Sequence, residues 1–244
     1  MNTYFNINYE FDKQEVHRAI ESTKKGYICV ADGTVMRYVH QDMEYRKVVK
    51  DALFTISDSS WTPVFLKWIY RINVEPYPGP QLFMNIIKMK KYKMFFMGGS
   101  SDILKDLKGE LSKIDGNVKD MQFMELPFRK IDDFDYEEIA KMVNKDNPDI
   151  IWVSLGAPKQ EFFMSRLNPF INRGVQIAVG AAFKFYSGKT SKKRAPLWIH
   201  KLRLEFLYRM MQEPKKQWGR FLAYLKVLPS IYFEEIQKKK YYHE

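Results

Sequence analysis

The sequence predicts an α/β fold of the Rossmann-like type, in which helices cover both faces of a parallel sheet. Short apolar runs alternate with segments of helical periodicity, and loops containing Gly, Ser and Asp follow the apolar runs. Strands that are apolar throughout are typical of parallel sheets, because both of their faces are buried. The 244 residues, of which 45% are hydrophobic and 28% are charged, are enough for a real core and exclude a disordered chain.

Five apolar runs are predicted to be strands: residues 27–30, 52–56, 93–97, 150–155 and 175–179. Helical patterns lie between them at residues 36–51, 81–89 and 136–143, in a helix capped by Ser101 or Asp102, and in a helix that begins at Pro158. No internal repeat or linker rich in Gly or Ser interrupts the alternation. Residues 1–190 are therefore predicted to form one Rossmann-like domain, and residues 191–244 a basic helical appendage.

Four loops follow predicted strands and are expected to form one ligand cleft. Parallel strands end at the same edge of a sheet, where helix N-termini present free N–H groups. The loops are Ala31-Asp32-Gly33, Ser57-Asp58-Ser59, Gly98-Gly99-Ser100 and Gly156-Ala157-Pro158.

Each of these loops also has a structural interpretation. Gly98-Gly99 fits phosphate binding and an ordinary tight turn equally, and it matches neither the dinucleotide nor the P-loop signature. Asp58 can serve as a general base, although the residues alone favour an Asp that caps the next helix. Asp32 has the same ambiguity, and a cap is again favoured.

The segment Pro158-Lys159-Gln160-Glu161 places three polar side chains on the first turn of a helix that starts at the cleft. Lys and Gln can bind a nucleotide or sugar hydroxyls, whereas a solvated first turn explains them equally well. Asp133-Phe134-Asp135 has the spacing of a cation site, but the acidic start of a helix is the favoured interpretation.

Several site types and locations are not expected. The single cysteine, Cys29, excludes an internal disulfide and multi-thiolate metal sites, and it lies in a run that predicts burial. The four histidines lack metal-ligand spacing, so neither a metal nor another cofactor is expected. No 18-residue apolar run and no signal-like start are present, so we expect a cytoplasmic protein.

The net charge of +11 is concentrated near the C-terminus. Residues 1–180 carry 25 basic and 24 acidic side chains, whereas residues 181–244 carry 15 and 5. This asymmetry suits nucleic acid, an anionic membrane surface or a diphosphate substrate. Residues 196–211 and 213–228 are predicted to be two helices rich in aromatic and basic residues, suited to a lipid interface, an oligomer interface or core packing. Residues 238–242 are expected to be a frayed tail.

Several blocks of the sequence resemble the WecG/TagA/CpsF glycosyltransferases. They are NPDIIWVSLGAPKQE at 147–161, AVGAAF at 178–183, SGK at 187–189, RAP at 194–196, LEFLYR at 204–209 and EP at 213–214. The resemblance spans most of the chain, and the order and spacing of the blocks are specific.

The resemblance implies an inverting enzyme that moves a sugar from a UDP-sugar to a polyprenyl-diphosphate-linked sugar. It also implies association with the inner face of a bacterial membrane, a product in surface polysaccharide, and members that can form oligomers. A basic nucleic-acid-binding protein and a non-catalytic nucleotide-binding protein are the alternatives, and the sequence has no recognisable nucleic-acid-binding motif.

The resemblance also assigns roles to individual residues. Asp58 matches the family's proposed base, with Ser59 in place of a glycine; Gln160 matches a polar cleft residue; Gly98 and Gly99 match a nucleotide-side loop. Further binding candidates are Asp32, Ser100, Gly156, Pro158, Lys159, Glu161, Arg194, Arg209, Lys216 and Arg220, of which Lys216 replaces an arginine. Val30-Ala31-Asp32 replaces a Thr-x-Asn pattern, and Pro76 stands where an arginine is expected, which leaves the donor sugar open.

Overall fold

The computed structural model describes residues 2–188, Met211 and residues 214–241. The eight strands of its sheet are β1 (Asn2–Tyr4), β2 (Ile7–Tyr9), β3 (Lys25–Ala31), β4 (Phe54–Ser57), β5 (Met94–Gly98), β6 (Gln122–Met124), β7 (Ile150–Ser154) and β8 (Gly174–Ala178). They lie in the order β1-β2-β4-β3-β8-β7-β5-β6. All neighbours are parallel except β1 and β2, which pair as an antiparallel hairpin.

The helices of the described residues are α1 (Lys13–Ser22), α2 (Gly33–Gln41), α3 (Met43–Lys50), α4 (Thr62–Tyr70), α5 (Gly79–Met89), α6 (Ser101–Ser112), α7 (Tyr136–Asp146), α8 (Lys159–Leu167), α9 (Ala182–Tyr186) and α10 (Pro214–Tyr241). Short 3-10 turns lie at Gly116–Asp120 and Ile131–Asp133. The predicted α/β class with a mostly parallel sheet is therefore confirmed.

The five predicted strands are present, with ends that shift by up to two residues. Strands β1, β2 and β6 were not predicted, because three residues are too few to produce a recognisable apolar run. The turn between β1 and β2 uses Phe5 and Asn6, both in the left-handed conformation. This hairpin adds the two outermost strands on one side of the sheet.

Two helix predictions need correction. The single helix predicted at residues 36–51 is two helices, because the Asp42 side chain accepts the Tyr45 N–H at 3.0 Å and starts α3. Neither Ser101 nor Asp102 caps α6, since both lie inside the helix and Ser100 occupies the N-cap position.

The core lies on both faces of the sheet, as continuous apolar strands predict. Trp152 of β7 is fully buried, and its ring lies 4.9 Å from that of Phe83 on α5. The Phe83 ring is also 5.8 Å from that of Phe183 on α9. Cys29 is fully buried in β3, as predicted, and burial raises the pKa of its thiol.

Helix α10 packs on the body of the protein through one face. Val227, Ile231 and Glu235 are buried at four-residue spacing. The Tyr70 hydroxyl donates to Glu235 Oε1 at 2.8 Å, and Lys238 Nζ donates to Asn6 Oδ1 at 2.7 Å. The expectation of a frayed tail is therefore wrong for residues 238–241.

The helix predicted at residues 213–228 is present as part of α10 and extends to Tyr241. The helix predicted at residues 196–211 lies outside the described residues except for Met211, which is helical. In the part of the chain that the structure describes, no helix combines the length and the apolar character needed to cross a membrane.

Candidate active site at the carboxyl ends of the strands

A cavity of about 560 Å³ lies at the carboxyl ends of the parallel strands. All four predicted loops contribute to its lining, which includes Asp32, Asp58, Gly99, Ser100, Gly156 and Ala157. The prediction that these loops form one cleft is confirmed.

The sheet order places the lining residues in a row across the cleft. The residues that follow β4, β3, β8, β7, β5 and β6 are, in that order, Asp58, Asp32, Val179-Gly180, Leu155-Gly156, Gly99 and Glu125. At about 4.8 Å between neighbouring strands, the row extends over roughly 24 Å. A ligand with several linked groups can therefore lie along it.

Asp58 lies at the β4 end of the row and contacts a helix that is distant in sequence. Its Oδ1 accepts the N–H of Gly79, the first residue of α5, at 2.9 Å. Asp58 therefore caps a helix, as the residues alone favour, but the capped helix is α5 and not the following helix, α4. Because Asp58 also lines the cleft, its capping contact does not remove it from the site.

Asp32 caps α2 and also lines the cleft. Its Oδ1 accepts the N–H groups of Thr34 at 2.8 Å and Val35 at 3.1 Å. The favoured interpretation of Asp32 as a cap is confirmed. Its role as a binding residue stays a prediction.

Gly98 and Gly99 have different structural reasons to be glycine. Gly98 has φ +108°, and a Cβ there would lie 2.4 Å from the carbonyl oxygen of Ser154 on β7. The close approach of two strands therefore explains Gly98, which is not among the lining residues. Gly99 and Ser100 do line the cleft, so any ligand contact of this loop falls to them.

Glu125 is a cleft residue that sequence reasoning missed. It follows β6 directly, and its Oε2 accepts the Ser101 N–H at 3.1 Å and contacts the Ser101 hydroxyl. A carboxylate of the protein thus already occupies one of the free N–H groups of α6 that were expected to suit phosphate. The sequence signal was weak, because β6 itself is only three residues long.

Gln160 ties together the loops that follow β7 and β8. Its Oε1 accepts the N–H groups of Gly156 at 3.0 Å and Gly180 at 3.2 Å, and its Nε2 donates to Glu161 Oε1 at 2.9 Å. The side chain lines the cleft but is only 4% exposed. Gln160 therefore fixes two stretches of cleft backbone, a role that sequence reasoning did not foresee.

Glu161 lies beneath the cleft and is not among its lining residues. The residue is fully buried, and its Oε2 has no hydrogen-bond partner among the described residues. Desolvation raises the pKa of the carboxyl to about 7, against the lowering effect of the Gln160 amide. Pro158 is also absent from the lining and occupies the N-cap position of α8. The first turn of α8 is thus neither fully solvated nor fully presented to a ligand.

Lys159 is the α8 side chain that lies at the cleft mouth. Its Nζ contacts the Arg129 carbonyl oxygen and lies 5.1 Å from the ring centre of Phe128 and 5.2 Å from that of Phe134. Desolvation and the positive charge of Arg129 lower its pKa. Phe128 is fully exposed and lines the cleft.

The C-terminal helix also contributes to the cleft. Arg220 of α10 is a lining residue, as is Lys184 of α9, which sequence reasoning missed. Lys216 lies on α10, where only its backbone is described, and Arg194 and Arg209 lie outside the described residues. Helix α10 therefore supplies at least one cationic side chain to the cleft.

The structure also decides the cation-site alternative. Asp135 Oδ1 accepts the Glu138 N–H at 2.9 Å and starts α7, so the helix-start interpretation of Asp133-Phe134-Asp135 is confirmed. Across residues 2–188 and the described part of α10, no three His, Cys, Asp or Glu side chains converge as metal ligands do.

Comparisons with known proteins identify relatives over nearly the whole chain. The profile of the Glycosyl transferase WecG/TagA/CpsF family matches residues 4–241. A Bacillus subtilis (strain 168) N-acetylglucosaminyldiphosphoundecaprenol N-acetyl-beta-D-mannosaminyltransferase is 26% identical over 91% of this chain and 88% of its own length. Proteins of the same name from Bacillus spizizenii and Staphylococcus aureus (strain MW2) are each 25% identical, over 87% and 91% of this chain and 80% and 84% of their own lengths.

Proposed function

This chain belongs to the WecG/TagA/CpsF family of glycosyltransferases, and we propose that it transfers a hexose from a UDP-sugar to a polyprenyl-diphosphate-linked sugar, with inversion at the anomeric carbon. The names of the curated relatives specify an N-acetylglucosaminyl-diphospholipid acceptor and an N-acetylmannosaminyl group. We propose the same class of acceptor here, and N-acetylmannosamine or another hexose as the transferred sugar. Asp32 and Pro76, where the chain departs from the family pattern, are the reason for keeping the sugar open.

One observation carries this proposal: a carboxylate and a cationic side chain from the appendage line the same cleft. Asp58 follows β4, and Arg220 comes from α10. A transferase that joins an anionic donor to a diphosphate-linked acceptor needs a base for the acceptor hydroxyl and positive charge for the phosphates. We propose Asp58 for the first role and Arg220 for the second.

In the proposed mechanism, Asp58 takes the proton from the acceptor hydroxyl as that oxygen attacks the anomeric carbon. The bond from the anomeric carbon to the UDP oxygen breaks on the opposite face, so a single displacement inverts the configuration. The Gly79 N–H holds one carboxylate oxygen at 2.9 Å. This contact fixes the position of the base, and positioning is a major part of catalysis.

Charge on the departing diphosphate requires stabilisation, and two cations of the cleft lining suit this role. Arg220 can form paired hydrogen bonds to phosphate oxygens, and Lys159 acts as a point charge. The backbone around Gly156 and Gly180, held by Gln160, adds a fixed surface along the same row. Arg194, Arg209 and Lys216 are proposed to complete the cationic set.

The lipid acceptor implies a membrane surface, and the outward face of α10 supports one. Trp218, Leu222, Leu225 and Phe233 are 50%, 42%, 40% and 65% exposed, and their spacing puts them on one stripe opposite the buried face. Aromatic and aliphatic side chains on a basic helix suit an anionic lipid interface. We propose peripheral association with the inner face of the cell membrane, residues 191–244 as the membrane appendage, and a product in surface polysaccharide. The same stripe also suits a second copy of the chain.

The experiment that tests the proposal follows UDP release. The purified protein is incubated with a panel of UDP-sugars and a lipid-diphosphate N-acetylglucosamine analogue, as wild type and as Asp58→Asn. An Asn side chain retains an oxygen that can accept the Gly79 N–H, so the variant removes the base and preserves the capping contact. We expect at least a hundredfold loss of turnover in a protein that remains folded, which thermal unfolding checks.

Asp102→Asn is the matched control, because Asp102 is exposed on α6 and is absent from the cleft lining. Turnover by Asp58→Asn at the wild-type rate would show that Asp58 is not the base. UDP binding without release from any donor would favour the non-catalytic alternative. Salt-sensitive binding to nucleic acid, in a protein inert toward every donor, would favour the nucleic-acid alternative.

A further inference from the structure

We infer that Glu125 binds the ribose hydroxyls of the donor nucleotide, so that the nucleoside lies over β5 and β6 and the transferred sugar points toward β4. This inference rests on the proposed UDP-sugar donor and adds to it the orientation of that donor in the cleft.

Glu125 lies at the end of a β5–α6–β6 unit. Strands β5 and β6 are parallel, with Met97 opposite Met124, so Glu125, which follows β6, lies level with Gly98, the last residue of β5. A glycine-containing turn and the N-terminus of α6 lie between. In nucleotide-binding α/β folds, a carboxylate at the end of the second strand of such a unit binds ribose hydroxyls. Glu125 occupies that position.

The carboxylate of Glu125 is hydrogen-bonded through one of its two oxygens. Its Oε2 is held by the Ser101 N–H and hydroxyl, whereas its Oε1 has no hydrogen-bond partner among the described residues. A carboxylate fixed through one oxygen is an acceptor ready for a hydroxyl donor at the other. The negative charge of Glu125 repels phosphate, so the diphosphate is expected nearer the middle of the row of lining residues, toward Gly156.

The cleft surface next to Glu125 is apolar. Leu126, Pro127 and the fully exposed Phe128 continue the cleft lining directly after it. Apolar and aromatic side chains provide a surface against which a base can lie. A carboxylate for the ribose and an apolar wall for the base are therefore adjacent in sequence and in the cleft.

The proposed base, Asp58, lies at the opposite end of the cleft from Glu125. It follows β4, five strand spacings from Glu125, or roughly 24 Å at 4.8 Å per spacing. The acceptor hydroxyl must meet the anomeric carbon near Asp58. A donor that places its ribose at Glu125 can direct its sugar toward that end, whereas the reverse orientation carries the sugar away from it.

The test compares the binding of UDP, 2′-deoxy-UDP and 3′-deoxy-UDP by calorimetry to wild type, Glu125→Ala and Glu125→Gln. For the wild type, we expect UDP to bind roughly tenfold more tightly than at least one deoxy analogue. In Glu125→Ala that preference should disappear, together with a roughly tenfold loss of UDP affinity. Glu125→Gln keeps an acceptor without the charge and should show an intermediate preference.

Asp102→Ala is the control, because Asp102 is another acidic residue in the first turn of α6 but is absent from the cleft lining. It should keep the wild-type preference. The ratio of two affinities within one variant does not depend on the fraction of protein that is folded.

The outcomes separate the inference from the proposal on which it rests. The role of Glu125 is overturned if the wild type binds UDP and both deoxy analogues equally, or if Glu125→Ala keeps the wild-type preference. Either result leaves the UDP-sugar proposal standing. Wild type that binds no UDP overturns the proposed donor, and the role of Glu125 with it.

Discussion

Replacing Glu161 by Gln should change how the stability of the protein depends on pH. Glu161 is fully buried at the base of α8, where its Oε1 accepts the Gln160 Nε2. The amide oxygen of a Gln can accept the same hydrogen bond, so Gln160 is expected to keep its position between the two cleft loops. What the variant removes is the titration of a buried carboxyl.

The magnitude follows from the pKa, which rises from 4.5 to about 7 on folding, mainly through desolvation. Between these values the folded protein binds more protons at this site than the unfolded chain does. Its free energy of unfolding therefore falls as pH rises from 4.5 to 7. At about 1.4 kcal/mol per pKa unit, the stabilising contribution of this carboxyl is about 3 kcal/mol, which is present in full below pH 4.5 and lost above pH 7.

Urea unfolding of wild type and Glu161→Gln at several pH values from 4.5 to 8 measures this effect. Relative to wild type, the variant should gain about 3 kcal/mol across that range. Glu137→Gln, an exposed position in the first turn of α7, is the control and should show a constant difference. A constant difference for Glu161→Gln as well would refute the conclusion that this buried carboxyl gains a proton on folding.

Three further outcomes are expected. Gly98→Ala should lower the free energy of unfolding, measured by urea melts, by about 2 kcal/mol or more, because the new Cβ would lie 2.4 Å from a carbonyl oxygen. The control Gly109→Ala places its Cβ where no atom lies within 4 Å, so it should be neutral or stabilising. Gln160→Leu leaves two backbone N–H groups without their acceptor, so it should lower the free energy of unfolding by about 2–5 kcal/mol and abolish UDP release. A folded, fully active variant would refute the conclusion that Gln160 holds the two cleft loops in place. Trp218→Ser should weaken flotation with anionic vesicles roughly tenfold. The control Phe170→Ala, which removes an exposed aromatic side chain after α8, should not weaken flotation. Equal effects of the two substitutions would argue against membrane binding through the exposed stripe of α10.

The sequence predicts the cleft well because its lining residues follow long buried strands. Asp32, Asp58, Gly99 and Gly156 lie directly after apolar runs, and parallel strands end at one edge of the sheet. The position of each residue therefore follows from local pattern alone. The same reasoning missed Glu125, because the apolar signal of a three-residue edge strand is too short to recognise.

The contacts that fix the cleft could not be predicted in the same way. Gln160 accepts the N–H of Gly180, which is 20 residues away and on another strand. Lys238 reaches Asn6 across the chain, so a basic tail became an ordered part of α10. Such contacts depend on the order of strands and on which helix face is buried, and neither can be read from residue types in one segment.

Asp58 shows why a carboxylate at a strand end is ambiguous in sequence. Capping and general-base catalysis both require an Asp near a helix N-terminus, so small neighbouring residues cannot separate them. In the fold, one oxygen of Asp58 holds the N–H of Gly79 while the side chain lines the cleft. The capping contact and the proposed role as base are therefore compatible, because the contact leaves the side chain in the cleft lining. A comparison of Asp58→Asn with Asp58→Ala separates the two roles. Both variants lose the negative charge, but only Asp58→Ala also loses the hydrogen bond to the N–H of Gly79 on α5.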